Sequence, residues 1–142
     1  MAKHPLRLAI EARVTDDELV SLLADDVVIY LPMLTEPLRG SKNVARILSA
    51  AARIVGPIEY EHELNDGNQT FLIWKGTAGG FPLEAATILT DDPDGLITEI
   101  RVVMRPWPVV TFFRNAMYDE LSAVIGASGL SVISPPVPFS NG

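Results

Sequence analysis

The chain has no cysteine, which excludes disulfides, thiolate metal centres and cysteine nucleophiles and fits a reducing compartment such as the cytoplasm. Histidine is nearly as scarce. His4 and His62 are the two present, and they do not stand at metal-ligand spacing. Positive charge is short as well: 11 Lys and Arg face 18 Asp and Glu, for a net charge of −7 and a pI near 4.7. Phosphate contacts need clustered Lys and Arg, so neither a nucleic acid nor an anionic membrane surface is expected as a partner. No apolar window approaches the ~18 residues of a membrane span. The N-terminal MAKHPLRLAIEARVTDDE has no long apolar stretch, so no signal peptide is expected. Neither a Gly-rich phosphate loop nor a Gly-x-Ser-x-Gly elbow occurs. Glu59, Glu61 and Glu63 alternate along one strand without a histidine on their face, so the expectation is no metal and no cofactor.

What is present suits one packed domain. Hydrophobic residues make up 48% of the 142 and charged residues 20%, a balance that supports a core and argues against disorder. The domain is expected over 1–125. A Pro- and Gly-containing tail, 126–142, reads as extended chain.

The periodicities give the order of elements. PLRLAIEAR (5–13) is helical, with Pro5 in the first turn. Thr15 and Glu18 form a capping box for a short helix over DDELVSLLA. Asp25-Asp26 turn into a strand at 27–31, ended by Pro32. A loop over 33–40 leads to a helix at 42–55, capped by Ser41 and stopped by Gly56-Pro57. IEYEHEL (58–64) alternates strictly, which puts Ile58, Tyr60, His62 and Leu64 on one face and the three glutamates on the other. Strands follow at 70–76, 81–90 and 96–105, separated by turn residues. A last helix at 109–125 carries an apolar stripe through Phe112, Phe113, Met117 and Leu121, with Val124 and Ile125 continuing it. Helical pieces followed by consecutive strands indicate an α+β fold.

LADDVVIYLP, the loop TEPLRG before a helix, the turn DPDG and the strand ITEIRVVMRPW, in this order over roughly residues 5–107, resemble the nuclear transport factor 2-like superfamily, particularly its SnoaL-like bacterial branch. The resemblance implies a cone-shaped, curved antiparallel sheet with helices on its concave face, closing an apolar pocket, and a homodimer formed through the sheets. Its ligands would be apolar small molecules of polyketide, steroid or terpenoid type, and its reactions isomerisation, cyclisation or hydrolysis. A non-catalytic dimeric module with a side-chain-filled cone is the alternative, because one fold of this kind hosts unrelated functions.

The resemblance also tests individual chemistries. Ketosteroid isomerases use a carboxylate base at the end of the first strand and a protonated aspartate as hydrogen-bond donor. The matching positions here are Leu31 and Thr87, so neither acid is present. In the epoxide hydrolase branch a last-strand aspartate is required, and Arg105 stands there. If Leu31 and Thr87 face inward, strand alternation brings Ile29, Leu72, Trp74, Ala85, Val102 and Met104 to the same wall as ligand-contacting residues. His62, Tyr60 and Thr87 are then the candidate catalytic groups, His62 foremost because an imidazole titrates near neutrality.

Overall fold

The computed structural model describes residues 2–129, with side chains through residue 122. Six strands form one curved, open sheet in the order β2-β1-β6-β5-β4-β3, covered by four helices. The strands are β1 (Leu23–Tyr30), β2 (Leu38–Arg39), β3 (Glu59–Asp66), β4 (Gln69–Ala78), β5 (Phe81–Asp91) and β6 (Ile97–Arg105). The helices are α1 (Pro5–Ala12), α2 (Asp16–Val20), α3 (Ser41–Ile54) and α4 (Trp107–Gly129). The α+β class expected from the sequence is the one observed.

β3 to β6 form an antiparallel meander, and its register makes the concave face. Trp74 lies opposite Ala85 and Ala85 opposite Met104; Leu72, Thr87 and Val102 make the next row; Thr70, Leu89, Ile100 and Ile29 make a third. Each of these side chains is buried except Met104, which is partly so. The opposite face carries the rows His62, Ile73, Ala86, Val103 and Leu64, Phe71, Ile88, Arg101. One sheet thus has an apolar inner face that must be covered and a mixed outer face.

The helices supply that cover. α3 places Val44, Ala45, Ile47, Leu48 and Ala50 against the sheet, and α4 adds Val109, Val110, Phe113, Met117 and Leu121. Full burial of a side chain such as Phe113 or Met117 contributes about 1.5–3 kcal/mol. α1 buries only Leu6 and Ala9, and polar contacts fix it. The His4 ring caps its first turn: Nδ1 accepts from the Leu6 N–H at 3.0 Å, so the ring proton sits on Nε2 and is donated to the Asp91 carboxylate at 3.1 Å. The His4 N–H donates to Glu63 at 2.9 Å, and Arg7 pairs with Glu63 at 3.1 Å and Glu11 at 3.0 Å.

Several expectations are corrected. β1 starts at Leu23, so Asp25-Asp26 lie within a strand rather than a turn, and the pairing is irregular between Leu23 and Val28. β1 also runs parallel to β6, whereas an all-antiparallel sheet was expected. The long return through α3 and the meander allows this direction. β2, two residues inside the 33–40 loop, was not anticipated. The N-cap of α3 is Gly40 at φ 96°, not Ser41. In α4, Phe112 is 47% exposed and lies against the turn at Gly79. The helix runs on through Gly129, so residues 126–129 of the expected tail are helical. Residues 130–142, and the side chains of Val124 and Ile125, lie outside the described part.

One close approach joins α3 to the sheet. The Thr77 N–H donates to the Val55 carbonyl at 2.8 Å, and a Cβ on Gly76 would stand 2.6 Å from that same oxygen. The expected result of Gly76→Ala is therefore a loss of about 2–3 kcal/mol, read from urea midpoints. Gly80→Ala, where the space is open but φ is 83°, should lose about 1 kcal/mol. Equal losses at the two positions would contradict the packing account.

Candidate functional site

The concave face and its helices line a half-open chamber of about 60 Å³. Its walls include Ile29, Leu31, Leu72, Trp74, Val102 and Met104 from the β1 end and the meander, Leu6 and Ile10 from α1, and Leu48 and Ala51 from α3. Six of the seven side chains expected to contact a ligand are therefore brought together. Ala85 is buried in the same row, between Trp74 and Met104, but does not reach the chamber wall. Leu31 lies just past the end of β1 and is 6% exposed; Pro32 follows it and ends the strand geometry.

Two of the three expected catalytic groups, Thr87 and Tyr60, line the chamber. Thr87 is buried and its Oγ1 accepts the Trp74 Nε1–H at 2.9 Å. This bond satisfies the indole and leaves the threonine O–H as a donor into an apolar setting. Tyr60 is half-buried, with the Arg7 guanidinium 4.8 Å from its ring centroid. Its hydroxyl makes no hydrogen bond among the described residues. Burial first, then the Glu11 and Glu63 charges, push the phenol well above its ordinary range, and the Arg7 charge only partly opposes them. Tyr60 is thus a neutral hydrogen-bond donor or acceptor and not a base.

His62 is placed elsewhere. Tyr60 pairs with Trp74, but His62 pairs with Ile73, so β3 advances two residues while β4 advances one. The extra residue, Glu61, is a β-bulge, and every later side chain of β3 changes face. His62 and Leu64 are exposed on the convex side, and Glu63 turns inward beneath α1. The expectation that His62 shares a wall with Tyr60 is corrected on this geometry. Strict alternation in IEYEHEL hid the bulge, because glutamates occupy the positions on both sides of the histidine. Arg105 pairs with Glu84 at 3.0 Å on the outer face. Arg101 pairs with Glu99 at 2.6 Å and stacks on Tyr30 at 4.0 Å.

A second, larger cleft of about 480 Å³ opens beside the chamber, between α1, the start of α2 and the C-terminal half of α3. It shares Ile10, Ala52 and Ile58 with the chamber wall, so the two adjoin. Glu11, Arg13, Asp16, Ser49 and Arg53 give it a polar rim. None of these residues stood out in the sequence, since each is an ordinary solvated side chain on its own helix. Among the described residues no three His, Cys, Asp or Glu side chains gather as a metal site, and no helix is long and apolar enough to cross a membrane.

No protein-family model and no curated protein matches the chain. Solved structures do. A steroid delta-isomerase from Pseudomonas aeruginosa is 26% identical, with a TM-score of 0.78 over 86% of this chain and 90% of that one. An uncharacterised protein with a cystatin-like fold from Silicibacter pomeroyi is 23% identical, with a TM-score of 0.78 over 91% and 92%. A putative polyketide cyclase from Sinorhizobium meliloti is 20% identical, with a TM-score of 0.57 over 67% and 86%. The structural neighbours are nuclear transport factor 2-like proteins, and this chain has their fold.

The Tyr60 environment has a measurable consequence. Its folded-state pKa is raised, so above the unfolded tyrosine value of about 10 the unfolded state releases a proton that the folded state keeps. Stability should be fully present below that pH and decline as pH rises past it. Tyr60→Phe is expected to remove this part of the alkaline loss, seen by comparing urea unfolding of the two proteins on either side of the tyrosine range. Identical pH dependence in both would show that the phenol is not held neutral by the fold.

Proposed function

We propose that the chain binds a small apolar molecule bearing an oxygen acceptor, such as a ketone or ether, in the concave chamber, and that it does so without acid–base chemistry. The observation that carries this reading is the chamber wall: its one titratable side chain is Tyr60, and its other polar groups are the Thr87 hydroxyl and the indole bonded to it. Proton abstraction needs a base near its operating pH, and a phenol with a raised pKa is not one. A carbonyl oxygen held by Tyr60 and Thr87, with its apolar body against Leu31, Leu72 and Val102, fits what is there. The isomerase and cyclase names of the similar structures support an apolar, ring- or chain-bearing ligand of steroid, terpenoid or polyketide type, and the chamber favours the smaller of these. A second reading has an observation of its own. About 60 Å³ is well below the roughly 300–1,000 Å³ of ordinary ligand pockets, which favours a non-catalytic module whose cone is filled by its own side chains.

Two outcomes separate the readings. In a Trp107→Phe background, Trp74 fluorescence should respond to 2-octanone, and Tyr60→Phe should weaken that binding by about threefold to tenfold, the effect of one neutral hydrogen bond. No response to any apolar ketone would favour the filled cone. With a Δ5-3-ketosteroid the unmodified protein should give no isomerisation above background by absorbance of the conjugated product, because Leu31 and Thr87 supply neither acid. Robust turnover would overturn the binding-only reading.

The convex face supports the expected homodimer. Leu64, Ile73 and Val103 are exposed there at 64%, 40% and 63%, in adjoining rows flanked by Lys75–Glu59 and Arg105–Glu84 pairs. A patch with an apolar centre and charges of both signs at its rim can be self-complementary about a two-fold axis. Light scattering should give twice the 15.4 kDa chain mass, and Val103→Lys should give the single mass. A monomer in the unmodified protein at about tens of micromolar, a concentration that populates even a micromolar dimer, would reject the dimer.

A further inference from the structure

We infer that the molecule in the chamber carries a carboxylate at one end and that the cleft beside the chamber holds it, through Arg13 and Arg53; this rests on the chamber being a binding site.

The chamber alone is small, but the cleft is about 480 Å³, a size typical of ligand pockets. The two are divided by Ile10, Ala52 and Ile58, which face both. A ligand in the apolar chamber therefore has a space of different chemistry on the far side of these three side chains. Chamber and cleft together make an amphipathic site, apolar inside and charged at the mouth.

The charges at the mouth are not equivalent. Glu11 is taken by Arg7 at 3.0 Å and by Lys3 at 3.7 Å. Asp16 accepts the Ser49 hydroxyl and begins α2, where a negative charge suits the helix terminus. Arg53 is engaged on one side by Glu120 at 2.9 Å, which leaves other guanidinium donors. Arg13 has no carboxylate partner among the described residues. Glu11 is thus paired with cations and Asp16 is held by a hydroxyl, while guanidinium N–H groups of Arg13 and Arg53 remain for an anion, and a carboxylate matches their planar fork.

Arg13 has a second peculiarity. It caps the end of α1 at φ 52°, ψ 51°, in the left-handed region, and its N–H closes onto Ala9 and Ile10. It is the one non-glycine residue with positive φ among those described. Glycine is the usual occupant of such a cap, and a side chain there carries local strain of the kind found at binding sites. Arg13 lines the cleft, as does Ile10.

The test compares two probes of equal carbon number, octanoate and 2-octanone, by isothermal titration calorimetry. The unmodified protein should bind octanoate about tenfold more tightly than the ketone, a difference of about 1.4 kcal/mol, with the preference shrinking at high salt because the cleft is open to solvent. The double variant Arg13→Gly, Arg53→Gln should lose that preference while its ketone affinity stays unchanged. Both side chains are exposed, and glycine suits the Arg13 backbone, so the variant should fold at least as stably. Were Arg13 only a helix-terminal charge, the variant would change melting temperature alone. Ketone binding with no octanoate preference, or a preference that survives in the double variant, would overturn the inference and leave the chamber reading intact. Binding of neither probe would remove both.

Discussion

The concave face of the sheet is apolar over three rows of side chains, and the placement of α1, α3 and α4 follows from the need to cover it. Trp74 and Met104, Leu72 and Val102, Leu89 and Ile100 cannot be left in water without forfeiting several kcal/mol. α3 and α4 meet this need with large side chains such as Ile47, Phe113 and Met117. α1 meets it weakly, with Leu6 and Ala9, and depends on the polar contacts of His4 and Arg7 with Asp91 and Glu63. The result is a cover that is heavily packed over the α4 end and lightly packed at the α1 end, where the chamber and the cleft lie.

This asymmetry also explains how the fold can host different chemistries. The chamber is built by register and burial, which need only apolar side chains of suitable size, and those requirements say nothing about acids or bases. In this chain the position at the end of β1 is Leu31 and the position facing Trp74's indole is Thr87. The same backbone therefore carries a leucine and a hydroxyl at the two positions where the resemblance implies carboxylates. Similarity to a steroid delta-isomerase at 26% identity is a statement about the backbone, and the side chains decide what the pocket does.

Much of the fold was legible because its signals are periodic. The stripe of α3, the alternation of the meander and the turns Asp66-Gly67 and Asp92-Pro93 marked the elements, and the resemblance at Leu31 and Thr87 implied the inward row from Leu31 to Met104. What failed was local and non-periodic. A single inserted residue at Glu61 reverses the face of His62, and no residue type in IEYEHEL marks it. The parallel pairing of β1 with β6 is a tertiary choice that strand propensity does not encode. His4 is an uncommon N-cap, so its bond to Leu6 and its contact with Asp91, 87 residues away in the chain, could not be read from spacing. The cleft with Arg13 and Arg53 was hidden for the same reason: it exists only once α1 and α3 are side by side.

The central claim is that the chamber is a binding site whose polar contacts come from Thr87, Trp74 and Tyr60. The most direct measurement is the indole N–H resonance of Trp74 in a nitrogen-15-labelled sample, titrated with a small apolar ketone. The account predicts that this resonance shifts progressively and saturates, because the ligand oxygen accepts the Thr87 O–H and so polarises the hydroxyl oxygen that accepts the indole bond, while the indole of the exposed Trp107 stays in place. An unmoved Trp74 resonance at ligand saturation, or equal shifts in both indoles, would contradict it.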